Sequence, residues 1–270
     1  MIKIKHKYQI IDILFVYVNY FLYLCCEKLY RLPNMEKGYF KIEHVERKVF
    51  RASFLKNVTY AITLADATFE ESRLKEFMNS LDELGYNAHH VSDPAKGMIL
   101  VKKKGVDVLC NREFFLLNVQ AKVYENFEHY KENVLNLFRK YSEAIKAKMV
   151  KSVYIMKTNE FSMDRTKPEL VNVTKEQFEQ VVCSAEFIRN ADDREIQIEE
   201  DTRSLLAKSN LIEREKEFIL QLVIAILENK ECELNQIESR LNDLNDAAYD
   251  IWSAVLSDTM KETLQENENK

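Results

Sequence analysis

The chain of 270 residues holds only four glycines, Gly38, Gly85, Gly97 and Gly105, and no two lie close together. A loop that cradles phosphate needs closely spaced glycines, because only a backbone without Cβ atoms brings several N–H groups against one anion. Walker and Rossmann nucleotide sites are thereby excluded. The five cysteines (Cys25, Cys26, Cys110, Cys183, Cys232) are odd in number and show no C-x-x-C spacing. Neither a disulfide framework nor a zinc site is indicated, and a reducing cytosol is the expected home. There is also no G-x-S-x-G elbow and no H-E-x-x-H pair, so two common catalytic signatures are missing.

A long apolar run is lacking too. The longest, Ile10 to Cys26, has 17 residues and is interrupted by Asp12 and Asn19, whereas a helix needs about 20 to cross a bilayer. It follows a basic start (Lys3, Lys5, His6, Lys7), and no small-x-small cleavage site comes after it, so removal as a secretory signal is not expected. Lys, Asn, Ile, Phe and Tyr supply 18 of the first 34 residues, with no Gly, Ala, Ser or Thr. That is how translated non-coding DNA reads. Three readings of residues 1–34 stay open: a misplaced start with Met35 as the true one, a weak membrane anchor, or a genuine folded element. The balance leans to Met35.

What is present is a chain with 46% hydrophobic residues, enough for a substantial core. Charge divides unevenly. Residues 35–160 carry 21 Lys/Arg against 17 Asp/Glu, and residues 161–270 carry 13 against 25. A pI near 5.7 argues against a dedicated nucleic-acid binder, which usually presents a basic face.

Periodicity organises the rest. Val49 to Ala65 alternates as strand, and Phe69 to Leu84 has helical spacing with Gly85 as its C-terminal cap. Tyr86 to Val91, Met98 to Lys103 and Val106 to Val123 read as strands, with a hairpin turn at Lys102-Lys103-Lys104-Gly105, and Tyr124 to Lys148 reads as a helix. The order then recurs: a strand at Lys151 to Phe161, a helix from Thr174 to Val182, strands at Cys183 to Ile188, Glu195 to Leu206 and Glu217 to Leu227, and a closing helix over 234–265. The expected fold is α+β, with antiparallel sheets carrying helices on one face. Two strand-helix-strands-helix copies would form lobes at 35–148 and 149–270.

The clearest pattern lies in the closing helix. Leu234, Ile237, Leu241, Leu244, Ala248, Ile251 and Val255 step by three and four, the spacing that keeps one apolar seam facing one partner. From Ile237 to Val255 it is a candidate interaction seam for a protein partner or a second copy. The other reading packs it on the chain's own sheet.

No catalytic or metal-ligating set is assigned and no cofactor is implied. His89 and His90 are neighbours in a strand and point to opposite faces, while His44 and His129 stand alone. The acidic runs Asp192-Asp193-Arg194-Glu195 and Glu199-Glu200-Asp201, with Glu213, Glu215 and Lys216, are of the type that gathers Mg²⁺ in nucleases, although turn positions usually just solvate such charges. Lys102, Lys103 and Lys104 would form a phosphate-contacting patch with Lys140, Lys146, Lys148 and Lys151 if the hairpin tip meets the helix end. Lys157-Thr158-Asn159-Glu160-Phe161 reads as a strand end at which Asn159 bonds its own backbone in a turn.

Three stretches carry a resemblance: Val106-Asp107-Val108-Leu109 through Val119 into Tyr124-Glu125-Asn126-Phe127; Val153-Tyr154-Ile155-Met156-Lys157-Thr158-Asn159; and Leu241 to Trp252 with Leu256-Ser257-Asp258. Together they resemble a family of bacterial proteins of unknown function that is scattered sporadically among genomes. The likeness covers roughly residues 39–265. It departs at Asn245, where His is expected, and at Ser257, where Thr is commoner. The resemblance implies no activity. It implies an accessory genome, with mobile-element or defence association. The leading expectation is a cytosolic, non-enzymatic protein acting through protein contact at the closing helix or a sheet edge. The alternatives are a metal-dependent enzyme on nucleic acid or nucleotides, and a membrane-tethered domain if residues 1–34 are genuine.

Overall fold

Between Val58 and Leu64 every second side chain is large and apolar, so Val58, Tyr60, Ile62 and Leu64 share one face and Thr59, Ala61 and Thr63 the other. This segment forms β1, Leu55–Ala65. The structure, a computed structural model, describes residues 40, 44–46, 54–65, 67–68, 70–86, 89–93, 98–111, 113–124, 126–164, 187–189, 193–213 and 217–256, all within one unit, Lys37–Lys270.

After β1 come α1 (Glu71–Glu83), β2 (His89–Asp93), β3 (Met98–Lys103), β4 (Val106–Cys110), β5 (Phe114–Gln120) and α2 (Phe127–Ala144). Then follow β6 (Met149–Asp164), β7 (Phe187–Arg189), β8 (Asp193–Glu200), β9 (Arg203–Glu213), β10 (Glu217–Glu228), β11 (Cys232–Glu233) and α3 (Ile237–Val255). Among the described residues eleven strands make one sheet, in the order β2-β3-β4-β5-β1-β6-β10-β9-β8-β7, with β11 also paired to β6. Every pairing is antiparallel. The fold is α+β with a long C-terminal helix.

That order is symmetric about its middle. The first five strands run 2-3-4-5-1 inward and the second five run 7-8-9-10-6 inward. The spans 35–148 and 149–270 join where β1 pairs β6, from Leu55 opposite Asn159 to Ala65 opposite Met149. β6 is long enough to pair there and with β10 along Val153 to Asp164.

Local chemistry explains most element ends. Gly85, at φ 75°, stops α1: its N–H donates to Asp82 O and that of Tyr86 to Leu81 O, the paired closure that favours glycine after a helix. Gly105 turns between β3 and β4 at φ 82°, where a Cβ would lie 2.8 Å from Val123 Cγ2. Glycine is required there both for φ and for space. The Asn126 side chain caps α2 by accepting the His129 N–H.

Several boundaries differ from expectation. Val106 to Val123 is two strands and a 3₁₀ turn (Ala121–Val123) rather than one strand, because Asn111 Oδ1 accepts the N–H groups of Glu113 and Phe114 and reverses the chain. Glu195 to Leu206 is likewise broken by the turn at Asp201-Thr202 into β8 and β9. α2 ends at Ala144, so Lys146 and Lys148 lie beyond it. Asn159 is no turn residue: it is buried inside β6, opposite Leu222. The closing helix starts after a 3₁₀ turn (Leu234–Gln236) and ends at Val255, where Leu256 turns extended. The expected helix at 174–182 and residues 1–34 lie outside the described residues.

Candidate functional site

One row of side chains shows how the sheet is used. Val101, Val108, Leu117, Tyr60, Ile155, Ile226 and Leu205 stand side by side on successive strands, and none is more than 2% exposed. On this face α2 sets Phe138 and Tyr141 against Phe115, with ring centroids 5.7 and 5.8 Å away, and α1 adds Phe77 at 5.2 Å from Tyr141. α3 lies on the same face, where Asn245 Oδ1 accepts from Lys157 Nζ of β6 at 2.6 Å.

Polar side chains tie this layer together. Lys131 of α2 reaches Asn242 Oδ1 and Glu238 of α3, and is also paired with Glu128 at 2.5 Å; Glu128 first, and then Glu238, raise its pKa against its partial burial. Glu228, with 3% of its side chain exposed, receives Arg203 of β9 at 2.7 Å and Arg240 of α3 at 2.5 Å. Burial pulls the Arg203 pKa down against that pairing and pushes Asp243 up. Asp250 of α3 accepts the Val45 N–H at 2.9 Å and bonds His44 Nδ1 at 3.2 Å. Each of these charges is held by partners between elements.

The opposite face has a different character. Leu109, Leu116, Ala61, Tyr154, Leu227 and Ser204 form one row, and Asp107, Asn118, Thr59, Met156, Ala225 and Leu206 the next. From β5 to β10 these two rows carry no charge. Thr59 Oγ1 donates to Asn118 Oδ1 at 2.9 Å, and Thr63 and Ser152 bond each other, so these hydroxyls are spent across strands. Ala61, Phe114, Leu116, Ile219, Val223, Ala225 and Leu227 are only 4–5% exposed, yet they stand outside the helix-side core. Asp107 is raised by burial, against the pull of Lys102 and a bond to Asn118. No described helix lies on this face.

The candidates from sequence fall as follows. Ile237, Leu241, Leu244, Ala248, Ile251 and Val255 are at most 1% exposed and face the chain's own β6 and β10 side of the sheet, the second of the two readings of that seam. The lysines do not converge. Lys103 reaches Leu84 O and the Tyr86 ring beyond the C-terminal end of α1, whereas Lys146 pairs with Glu70 before its N-terminal end at 2.7 Å. A helix of 13 residues separates these ends by about 20 Å. Lys102 neighbours Asp107 across β3 and β4, Lys104 sits exposed in the hairpin turn, and Lys148 is exposed after α2. Glu199, Glu200 and Asp201 are exposed at the β8–β9 turn, and Ser204 Oγ donates to Glu199 at 2.6 Å. Among the described residues no three His, Cys, Asp or Glu side chains group as metal ligands, and no helix is long and apolar enough to cross a membrane. Asp192, Glu215 and Lys216 lie outside the described residues.

No protein-family model matches the chain, and no curated protein matches it. The features that sequence reading passed over are the Glu228 network, the Asp250 bonds and the two rows without charge between β5 and β10 on the second face. The last had a signal: Thr59, Ala61 and Thr63 alternate with the core residues of β1, marking that face as apolar or hydroxylic rather than charged.

Cys110 offers a check on the helix-side packing. It is fully buried, and burial pushes its thiol far above the ordinary range. A water-soluble thiol reagent is expected to modify it on the order of 100-fold more slowly than a free thiol until urea unfolds the protein. Rapid modification of Cys110 under native conditions would contradict the packing of β4 beneath α2.

Proposed function

We propose that the chain is a non-enzymatic protein-interaction factor of the cytosol, serving an accessory, mobile-element or defence role, and that its contact surface includes Tyr154 and Met156 on the sheet face that carries no described helix. The observation that carries this reading is the pair of rows without charge on that face, in which Tyr154 and Met156 stay partly exposed beside Ala61, Leu116, Ala225 and Leu227, residues that the chain itself covers to 4–5% exposure. Partly exposed apolar side chains beside satisfied hydroxyls suit contact with a polypeptide surface. Two further features support it: the α3 seam is occupied within the chain, and the charges on the helix side are engaged in ties between elements.

The test uses Tyr154 and Met156, which are half-buried on that face. Met156→Arg and Tyr154→Arg in the full chain are expected to weaken co-purification of native partners at least about tenfold, since an unpaired charge at the centre of an interface costs several kcal/mol. Lys75→Glu on the exposed side of α1 should leave partners and amounts unchanged. Partner recovery equal in all three variants, with melting temperatures unchanged, would remove this reading. Mg²⁺-dependent cleavage of single- or double-stranded nucleic acid by the purified chain would favour the enzymatic alternative instead.

A further inference from the structure

The same closure ends two helices, and only one of them uses glycine. After α1 the Gly85 N–H donates to Asp82 O at 2.9 Å and the Tyr86 N–H to Leu81 O at 3.0 Å, with Gly85 at φ 75°. After α2 the Lys146 N–H donates to Glu143 O at 3.2 Å and the Ala147 N–H to Ser142 O at 2.9 Å, with Lys146 at φ 51°. The two sets of bonds correspond one for one, so α1 supplies the reference within the same molecule. A side chain in the left-handed region disfavours the folded state by on the order of tenfold, because its Cβ crowds the following carbonyl. Lysine carries that cost and glycine does not.

What Lys146 gains lies on the other helix. Its Nζ donates to Glu70 Oε1 at 2.7 Å, and Arg73 Nε meets the second oxygen of the same carboxylate at 3.1 Å. Lys146 first, against partial burial, and then Arg73 hold the Glu70 carboxyl below its ordinary range. Glu70 leads into α1, and its side chain makes no capping bond to that helix, whereas α2 is capped by its own Asn126. A second bond crosses at the same junction, from the Thr68 N–H to Ile145 O at 2.8 Å. The first turn of α1 is therefore held from the end of α2. The Lys146 and Glu70 side chains are 45% and 40% exposed, and a pair so exposed returns less global stability than the backbone conformation takes.

We infer that Lys146 is a positioning residue, and that Lys146, Glu70 and Arg73 form an ionic latch that sets the start of α1 on the end of α2. The latch acts locally. Leu74 and Phe77, 9% and 3% exposed, enter the core from the first two turns of α1. Salt screens an exposed pair and leaves those apolar contacts in place, so ionic strength loosens the start of α1 while the rest of the helix keeps its packing. The latch lies in the helix layer and does not depend on the surface proposed for partners.

The test is hydrogen exchange of the Leu74 to Phe77 amides in the full chain, beside urea unfolding. Lys146→Met removes the charge and keeps a side chain in the left-handed region. Lys146→Gly removes both, and Lys148→Met, at an exposed lysine two residues on, is the control. Both variants at 146 are expected to exchange about threefold faster at Leu74 to Phe77, with the amides of Leu81 to Glu83 unchanged and Lys148→Met at the wild-type rate. Lys146→Gly is also expected to unfold at higher urea, so that its local and global stabilities move in opposite directions. In about 1 M NaCl the gap between wild type and Lys146→Met should close by at least about half. Wild-type exchange in Lys146→Met, a gap indifferent to salt, or exchange in Lys146→Gly that slows in step with its higher urea midpoint would overturn the latch. So would a rise in Lys146→Met spread over the whole chain, or an equal rise in Lys148→Met.

Discussion

Replacing Glu228 by Ala is expected to cost about 3 kcal/mol of stability, because it strands two guanidinium groups at once. Glu228 ends β10 directly across the ladder from Arg203 in β9, and Arg240 descends onto it from the first turns of α3. One carboxylate oxygen takes Nε and Nη2 of Arg203 at 2.9 and 2.7 Å, and the other takes Nη1 of Arg240 at 2.5 Å. The carboxylate is 3% exposed but the arginines are 18% and 16% exposed. Water therefore solvates them partly after the loss, which sets the figure at the lower end of the range for a broken buried pair. Asp243, raised by burial first and lowered by Arg203 and Arg240, lies near both arginines and takes over some of the neutralisation. The triple variant Glu228→Leu, Arg203→Met, Arg240→Met should recover most of the loss, since removing all the charges together leaves none uncompensated. Urea unfolding of the single and triple variants measures both. A single variant within 0.5 kcal/mol of wild type (roughly the scatter of ordinary surface substitutions) would mean that the network does not hold α3 to the β9–β10 hairpin.

Leu244→Ala is expected to lower stability by about 3 kcal/mol while leaving the mass in solution unchanged. Leu244 is 0% exposed beside Leu241 and Ala248, under a helix that also places Asn245 on Lys157. Truncation leaves a cavity between helix and sheet that close packing fills only in part. The same heptad seam, had it faced a second chain, would have given another signature: a concentration-dependent loss of oligomer with the monomer's fold retained. Equilibrium sedimentation alongside urea unfolding separates the two. A stable Leu244→Ala protein with reduced mass would contradict internal packing of the seam.

Much of the fold was legible because it is written in short-range periodicity. The alternation in β1, the helical spacing ahead of Gly85 and the hairpin turn that ends at Gly105 each depend on residues within a few positions of one another. Boundaries were missed where a polar turn sits inside a β-rich run. Asn111 and Asp201-Thr202 each divide what reads as one strand, because hydrogen bonds at a turn override propensity. The heptad in α3 was visible but ambiguous, since a seam facing a sheet and a seam facing another helix need the same spacing. The long-range features were not legible. Glu228 meets Arg203 and Arg240, and Asp250 meets His44 and Val45, only through tertiary folding, and nothing local in the sequence pairs them. The lysines failed in the opposite sense: Lys103 and Lys146 share a charge but stand at the two ends of α1.

The proposal that the Tyr154 and Met156 part of the sheet receives another polypeptide is tested most directly by a photo-crosslinking residue at position 154. Tyr154 lies in the uncharged row between Ala61 and Leu227 and is half-buried, so an aromatic crosslinker fits its place with little disturbance. Irradiation in the native cell is expected to join the chain at this position to a second polypeptide, with no such product from the same residue at Lys75. Crosslinks from position 154 that fall only within the chain itself, or that appear equally from Lys75, would contradict it.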